Sequence, residues 1–229
     1  MKYLVVIPAR GGSKGIPHKN IYPLLGKPLL EYTIECICNV EFDGDVVVST
    51  DDGAIADVAS RNEKVIVIRR PKEISGDFAS TEDALIHALK YMEENKGKAY
   101  DAIVTLQPTS PLRTSSTIQK FLETYEKTAY KYDAMLTLSE DRSDFWIKKD
   151  DGSFGRLFPE APRRRQERNP LYVENSAAYV TKKESLLEYH SVLGRNVNGF
   201  VIDPVEGIDI NEFSDIVLAE SMLQKREKK

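Results

Sequence analysis

The sequence of 229 residues is poor in the side chains on which disulfide-linked and metal-binding scaffolds depend. It contains two cysteines, three histidines and one tryptophan. Cys36 and Cys38 lie two positions apart on a predicted helix and point in different directions, so we expect reduced thiols and neither a disulfide nor a thiolate metal site. His18, His87 and His190 lack the spacing of metal ligands. We expect His87, in the middle of a helix, to be a packing residue.

Long apolar runs and an excess of positive charge are also absent. No run approaches the ~20 residues of a membrane helix. The short apolar stretch near the N-terminus is not followed by a small-residue cleavage site, so no signal peptide is expected. The net charge is −4, which argues against broad binding of nucleic acid or anionic membranes. We therefore expect a cytoplasmic protein in which any anion site is a local concentration of Arg and Lys.

The sequence does contain an alternation of β-branched runs with amphipathic patterns. The strand candidates are 3–9, 45–50, 64–70, 101–108, 132–139, 172–180 and 198–203. The helix candidates are 28–38, 53–62, 80–95 and 211–226. The third helix opens with Ser80 and, three residues on, Asp83, as in a capping box. The alternation predicts an α/β fold with a mostly parallel sheet and helices on both faces.

The pattern changes after Ser139, where the helical period disappears. The letters "DDG" predict the turn of a β-hairpin. A basic cluster bracketed by prolines follows it: Arg163, Arg164, Arg165 and Arg168. We predict that 140–172 is a small β excursion from the sheet, inserted as a dimer arm. The alternative is a long solvated loop, which is uncommon in compact domains.

The stretch "PARGGSKGIPHKN" (8–20) directly follows the first apolar strand. In parallel sheets ligands bind beyond the carboxyl ends of the strands, and backbone N–H groups of a glycine-rich turn can converge on an anion. The P-loop spacing and the G-x-G-x-x-G fingerprint are both absent, and Pro17 argues against a helix directly after the glycines. The sequence therefore indicates a phosphate site of another design, with a flexible basic turn as the alternative.

Four segments resemble motifs of the acylneuraminate cytidylyltransferases, also called CMP-sialic acid synthetases. They are "IPARGGSKGIPHKNI" (7–21), "LQPTSPLR" (106–113), "RRRQERNPLYVENSAAYV" (163–180) and "GIDIN" (207–211). The order along the chain is that of the family, and the segments span nearly the whole sequence. The resemblance implies a single Rossmann-like nucleotidyltransferase domain over 1–229. It also implies a reaction that joins CMP from CTP to the anomeric hydroxyl of a nine-carbon 2-keto-3-deoxy sugar acid, with Mg²⁺ and in a homodimer.

The resemblance also assigns roles to individual residues. Those implied for CTP are Arg10, Gly12, Ser13, Lys14, Lys19, Asn20, Arg70 and Ser80. Those implied for the sugar acid are Gln107, Arg165, Gln166 and Tyr172, with the register of the Arg163–Arg165 run open by one residue. Ser80 has an alternative reading as the N-cap of the third helix. Arg113 could be structural.

The resemblance implies that the metal is held by Asp209, and Arg10, Lys19, Gln107 and Asp209 are the implied catalytic residues. The family has a second aspartate where this sequence has Asn211, so we expect one protein carboxylate, with the Asn211 amide oxygen as a further ligand. Asn211 could also cap the final helix. The pair Asp51 and Asp52 could bind a metal, but both precede a helix, where Asp is favoured as a cap, and we prefer that interpretation.

Two alternatives to the sialic-type reaction stay open. One is a nucleotide-binding regulator of the same fold with weak catalysis, suggested by Asn211 and by Ser176, where the family usually has Gly. The other is a synthetase that activates the eight-carbon acid Kdo. Within the sialic type, the motifs do not distinguish neuraminate, deaminated neuraminate, legionaminate and pseudaminate.

Overall fold

The computed structural model describes residues 1–13 and 15–227. Its strands are β1 (Lys2–Pro8), β2 (Pro23–Leu24), β3 (Lys27–Pro28), β4 (Asp43–Thr50), β5 (Val65–Arg69), β6 (Ala102–Leu106), β7 (Ala134–Asp141), β8 (Trp146–Lys148), β9 (Phe154–Arg156), β10 (Leu171–Lys182) and β11 (Val197–Ile202). Its helices are α1 (Leu29–Cys38), α2 (Gly53–Ala59), α3 (Thr81–Lys96), α4 (Ser115–Thr128), α5 (Lys183–Tyr189) and α6 (Phe213–Glu227). Within this part of the chain, no helix combines the length and apolar character that crossing a bilayer requires.

The main sheet has the strand order β11-β7-β10-β6-β1-β4-β5. All neighbouring pairs are parallel except those of β10, which runs antiparallel to β6 and β7. The predicted mostly parallel α/β sheet is therefore confirmed. The reversed strand β10, between β7 and β6, was not predicted, because the pattern of apolar residues shows that a segment is a strand but not beside which strand it lies.

Alternating residues of β1 face two separate apolar layers, as in a strand covered on both sides. Tyr3, Val5 and Ile7 pack in a layer that also contains apolar residues of α1, α2 and α4. Leu4 and Val6 pack with apolar residues of α3 and α5. The helices thus cover both faces of the sheet, as predicted.

Two helices and a short hairpin were missed by the sequence analysis. They are α4, α5 and the β2–β3 hairpin. The signal for α4 was present: Thr114 caps it by accepting from the backbone N–H of Thr117, and Ile118, Phe121 and Tyr125 are buried on one face. The predicted α3 start is confirmed in detail, with Ser80 and Asp83 forming the full capping box.

The segment between β7 and β10 leaves the main sheet. It contains the predicted hairpin, in which β8 and β9 pair antiparallel from Trp146↔Arg156 to Lys148↔Phe154. Several of its apolar side chains are exposed: Trp146, Ile147, Phe154, Leu157 and Phe158. The excursion is therefore ordered locally but leaves much apolar surface uncovered.

Candidate active site

A cavity of about 460 Å³ opens at the carboxyl ends of β1, β5 and β6. Its walls come from the loop after β1, the segment between β5 and α3, the segment after β6, and Asn211. The lining residues are Pro8, Arg10, Ser13, Gly15, Lys19, Asn20, Arg70, Asp77, Ala79, Ser80, Thr81, Gln107, Pro108, Thr109 and Asn211. Eight residues to which the family resemblance assigned a role in binding or catalysis therefore line one space: Arg10, Ser13, Lys19, Asn20, Arg70, Ser80, Gln107 and Asn211.

The glycine loop is wedged between two other segments of the chain. Its Gly11 N–H donates to Asp51 Oδ1 at 2.9 Å, and a Cβ on Gly11 would come within 2.8 Å of the Asp52 side chain. A Cβ on Gly15 would collide with the backbone carbonyl of Asn211. Small residues at both positions let the loop lie against the start of α2 and against 209–211.

The paired aspartates of "STDD" serve the local structure. Asp52 caps α2, accepting from the Ile55 N–H at 3.0 Å, as the sequence favoured. Asp51 holds the Gly11 backbone instead. In the described part of the chain, no three His, Cys, Asp or Glu side chains come together as metal ligands would.

Cations of the first motif are held by backbone oxygens. Lys19 Nζ donates to the Ile210 carbonyl at 2.8 Å. Arg10 Nη1 donates to the Gly76 carbonyl at 2.9 Å and lies 3.5 Å from Asp77 Oδ1. Lys14, which the resemblance assigned to the same site, lies outside the described residues.

Asn20 braces this loop from within. It is buried, and its Nδ2 donates to the Arg10 carbonyl at 2.9 Å. The amide therefore fixes the backbone from which the Arg10 side chain reaches the cavity.

Burial makes the positive charge at this end of the cavity costly until an anion arrives. Removal from water lowers the pKa of Lys19, and the carboxylates of Asp209 and Asp215 only partly oppose the shift. Burial likewise lowers the pKa of Arg70, which is 6% exposed and donates to Ser49 through Nε at 3.1 Å and Nη2 at 2.6 Å. A bound polyphosphate would offset both desolvation costs.

The wall opposite the glycine loop is the amino end of α3. Ser80 and Thr81 line the cavity there. The Ser80 hydroxyl accepts from the Asp83 N–H at 3.0 Å, so its reading as an N-cap is confirmed and it also faces the cavity. The partial positive charge of the helix end adds to that of the arginines and lysine.

The motifs are joined by a small apolar cluster under the cavity. Ile16 of the first motif, Leu112 of the second and Ile210 of the last pack together with Ile216 and Ala219 of α6. The Ile210 N–H also donates to the Thr109 carbonyl at 2.8 Å. These contacts hold three segments that are distant in sequence in fixed positions around one site.

Arg113, which ends the second motif, is structural. It donates through Nη2 to Thr33 Oγ1 at 2.6 Å and through Nη1 to the Ala177 carbonyl. Complete burial lowers its pKa to about 10. The residue ties the second motif to α1 and β10.

Asp209 and Asn211 form a hydrogen-bonded pair beside the cavity. Asn211 Nδ2 donates to Asp209 Oδ2 at 2.8 Å, while Asp209 Oδ1 is buried with no hydrogen-bond partner among the described residues. A carboxylate oxygen in that state suits a hard cation. The pair therefore fits a Mg²⁺ ion with one protein carboxylate.

The expected N-cap role of Asn211 is wrong. Glu212 directly precedes the helix, and Asp215 of the first turn reaches back to the chain before it: its Oδ2 accepts from the Asn211 N–H at 2.8 Å and from the Glu212 N–H at 2.9 Å. This is the back-bond that the third helical residue makes in a capping box, and the Asn211 side chain donates to Asp209 instead of capping the helix.

Ser176 takes a backbone conformation that suits glycine better. Its φ is +59°, in the left-handed region that ordinary residues adopt at a cost. The pairing of β10 with β7 is irregular between Glu174 and Tyr179, and the Tyr179 hydroxyl donates to Glu174 and also lies 3.2 Å from Ser176 Oγ. This turn follows a path for which glycine is favoured even though serine is present.

Other assigned residues lie outside the cavity lining. Gly12 is in the first loop, facing open space. Asp209 lies two positions before the lining residue Asn211 but is not itself among the lining residues. Arg165 and Gln166 lie on an exposed 3₁₀ turn of the excursion, and Tyr172 is 51% exposed at the start of β10. Within one described chain, these three are not brought to the nucleotide cavity.

Some cavity residues were missed by the sequence analysis, notably Asp77, Ala79, Thr81 and Thr109. A signal existed for the first three, because they adjoin Ser80 at the start of a helix that follows a parallel strand. The ion pair from Arg10 to Asp77 spans 67 positions and leaves no trace in the local pattern.

Comparisons with known proteins agree with this geometry. The family model described as Cytidylyltransferase matches residues 4–194. An N-acylneuraminate cytidylyltransferase of Escherichia coli is 31% identical over 231 residues, covering 98% of this chain and 53% of the relative. A CMP-N,N'-diacetyllegionaminic acid synthase of Legionella pneumophila is 29% identical, covering 98% and 97%. This chain thus spans about half the length of the first relative and nearly all of the second.

Among solved structures, a CMP:2-keto-3-deoxy-manno-octonic acid synthetase complexed with CTP superposes with a TM-score of 0.71. Its sequence identity is 18%, and the match covers 99% of this chain and 100% of the other. A likeness at that identity concerns the fold alone.

Proposed function

Because this chain belongs to the cytidylyltransferase family, we propose that it transfers CMP from CTP to the anomeric hydroxyl of a sialic-acid-like nonulosonic acid. The hydroxyl oxygen forms a bond to the α-phosphorus, the bond from that phosphorus to the bridging oxygen breaks, and pyrophosphate leaves with the hydroxyl proton released. The observation that carries the proposal is the single cavity on which the first, second and last motifs converge.

The residues of the first motif bind and align the triphosphate. Lys19 and Arg10 are half-buried cations that line the cavity while each donates one N–H to a backbone carbonyl, and Ser13 adds a hydroxyl. Phosphoryl transfer needs alignment of the attacking oxygen and stabilisation of charge more than it needs a covalent intermediate. Fixed cations at the leaving pyrophosphate supply that stabilisation without reorganisation.

The segment after β6 holds the sugar acid. Gln107 stands at the end of a fully buried strand and lines the cavity, where an amide can both donate to and accept from sugar hydroxyls or the carboxylate. The residues that would bind the N-acyl and glycerol-like groups of the acid are not part of the shared motifs. The acid within the nonulosonic class is therefore to be identified by assay.

Mg²⁺ would bind Asp209 and, after rotation of its amide, Asn211. The support is the buried, unpartnered Asp209 Oδ1 next to the cavity. When bound, the ion neutralises phosphate charge and polarises the phosphoryl group. Asp209 also raises the pKa of the nearby Lys19 against the effect of burial, so the carboxylate keeps that lysine charged for the phosphates.

The excursion would complete the site of a second subunit. Its support is the exposed apolar surface of β8 and β9 together with Arg165, Gln166 and Tyr172, which lie away from the cavity of their own chain. Arg165 would there meet the carboxylate of the sugar acid. Mixing an Asp209→Asn subunit with an Arg165→Ala subunit should restore partial activity, because one site of each heterodimer has an intact cavity and an intact arm.

The cytoplasm is the proposed compartment. Cys36 and Cys38 are both free thiols, as expected in a reducing environment. The catalytically weak regulator remains the competing proposal, and Ser176 gives it little support because the serine adopts the left-handed conformation that a glycine would favour there.

One assay tests the function directly. Pyrophosphate release is measured with CTP, Mg²⁺ and a panel of neuraminate, deaminated neuraminate, legionaminate, pseudaminate and Kdo, and each acid is scored by kcat/KM. We expect one nine-carbon acid to dominate. Tight CTP binding without release for any acid would favour the regulator, and a preference for Kdo would reject the sialic-type assignment.

A further inference from the structure

Phe78 is the most exposed large apolar side chain of the described residues. Its relative exposure is 103%, whereas Tyr130 reaches 88% and Val217 67%. It belongs to the segment 75–80, which we name the rim loop, between β5 and α3. Its neighbours Asp77 and Ala79 both line the nucleotide cavity.

The backbone of the rim loop is held on both sides of Phe78. Arg10 donates to the Gly76 carbonyl at 2.9 Å, the Ala79 N–H donates to the same carbonyl at 3.1 Å, and Ser80 is fixed as the cap of α3. Only the phenyl ring is free of packing. It can therefore change rotamer rapidly without moving the loop.

The described wall of the cavity itself offers no aromatic ring against which a base could stack. No aromatic side chain is among the described residues that line it. In the proposed function the cations of the glycine loop bind the phosphates, Gln107 binds the sugar acid, and Asn211 lies with Asp209 at the metal. The base is thus left to the wall of Arg70, Ala79 and Ser80, the wall that carries the rim loop.

We propose that Phe78 is the stacking residue for the cytosine of bound CTP. This inference rests on the proposed function and assigns to it a contact that the resemblance did not. A flat base face against a phenyl ring removes apolar surface of both from water and adds a favourable ring–ring geometry. Arg10 links the two ends of the nucleotide, because it contacts the rim loop and faces the triphosphate.

Calorimetry with two ligands tests the proposal. Dissociation constants are measured for CTP and for inorganic tripolyphosphate, which has no base, with the wild type, Phe78→Ala, Phe78→Leu and Phe78→Tyr. We expect Phe78→Ala to weaken CTP binding about tenfold or more and to leave tripolyphosphate binding unchanged. Phe78→Tyr should restore CTP affinity, and Phe78→Leu should restore part of it.

The matched control is Tyr130→Ala, which removes another exposed aromatic ring at the opposite end of the sheet. It should bind both ligands like the wild type. UTP supplies a second control, since stacking hardly distinguishes pyrimidines. Phe78→Ala should leave the ratio of CTP to UTP affinity unchanged.

Three results would overturn the assignment. Unchanged CTP affinity in Phe78→Ala would show that the ring does not touch the base. An equal loss for CTP and tripolyphosphate would make the rim loop structural. If Phe78→Ala binds CTP normally but has a lower molar mass than the wild type in light scattering, Phe78 is a contact between subunits. Absent CTP binding by the wild type would instead reject the proposed function.

Discussion

The nucleotide cavity and the excursion both collect basic residues, but they treat the charge in opposite ways. In the cavity, Lys19 and Arg70 are removed from water, their N–H groups go to neutral oxygens, and burial lowers the pKa of each. In the excursion, one carboxylate organises three guanidinium groups: Asp144 lies 3.0 Å from Arg156 and 3.4 Å from both Arg163 and Arg168.

The difference shows how arginine and lysine can serve either recognition or architecture. The hydrogen bond from Arg156 and the charges of the three guanidinium groups lower the pKa of Asp144. The cluster links described segments of the excursion that share no buried hydrophobic core of their own. The cavity instead directs the N–H groups of Lys19 and Arg70 to neutral oxygens, and its carboxylates only partly offset the positive charge that an anion would meet. Substitutions in the two regions should therefore differ in kind, and the following predictions test this from the largest expected effect to the smallest.

Asp209→Asn should have the largest effect. The substitution keeps the shape of the side chain and removes the negative charge of the carboxylate, whose Oδ1 is buried without a hydrogen-bond partner among the described residues. We expect kcat to fall about a hundredfold to a thousandfold, in the range for loss of one electrostatic contribution to a transition state. Steady-state pyrophosphate release measures it.

The matched variant Asn211→Asp changes the same site in the opposite sense. It should keep turnover and lower the Mg²⁺ concentration at half-maximal rate, because a second carboxylate strengthens binding of a hard cation. Full activity of Asp209→Asn, or turnover that persists in EDTA, would be incompatible with the metal assignment.

Lys19→Ala and Arg10→Ala come next. Each removes a charged donor to the phosphates, and we expect a loss of about 1.5–3 kcal/mol in CTP binding, measured by calorimetry with circular dichroism as a check on folding. Arg164→Ala is the control from the excursion, where the side chain is 82% exposed and 3.3 Å from Glu167. Equal losses in all three would erase the contrast between the regions.

Gln107→Ala sharpens the comparison within the cavity. It should raise the KM of the sugar acid or lower kcat by about tenfold, as expected when a polar contact to substrate is lost, with little change in the CTP dissociation constant. Loss of CTP affinity to the same extent would mean that Gln107 does not read the sugar.

Charge placed on the apolar face of the excursion should affect assembly before chemistry. Phe145, Trp146, Phe154 and Phe158 form the apolar mass there, with Trp146 and Phe154 52% and 64% exposed. Trp146→Asp or Phe154→Asp should convert a dimer to a monomer in light scattering, because an interface cannot bury an unpaired charge cheaply. Val217→Asp, at an exposed position of α6, should not. An active wild-type monomer would contradict the arm.

The smallest predicted effect is a shift in pH dependence. Burial lowers the pKa of Lys19, so the free protein loses that charge as pH rises through a value below the ordinary lysine range. CTP binding favours the protonated lysine and should therefore weaken on this alkaline side. Lys19→Arg should move the decline to higher pH, and an identical profile in both proteins would remove Lys19 from the binding step.

The parallel strands, the capping of α3 and the glycine loop could be predicted because each depends on residues that are close together in the sequence. The sequence did not predict that Asn211 bonds to Asp209 while Asp215 reaches back to the Asn211 N–H, since the residue types alone do not show where α6 begins. Likewise, Arg10 meets Asp77 only because β1 and β5 end at the same edge of the sheet. Contacts that depend on strand order lie beyond what periodicity can indicate.

The interior, reversed position of β10 has a consequence for the order of folding. The strands β1, β4, β5 and β6 can pair with one another early in synthesis, but the free edge of β6 finds its partner only when residues 178–182 arrive. That pairing joins positions more than 70 residues apart, and contacts of such separation form late. The hairpin of the excursion is local and can form beforehand, so closure of the sheet is also the step that anchors the preformed arm.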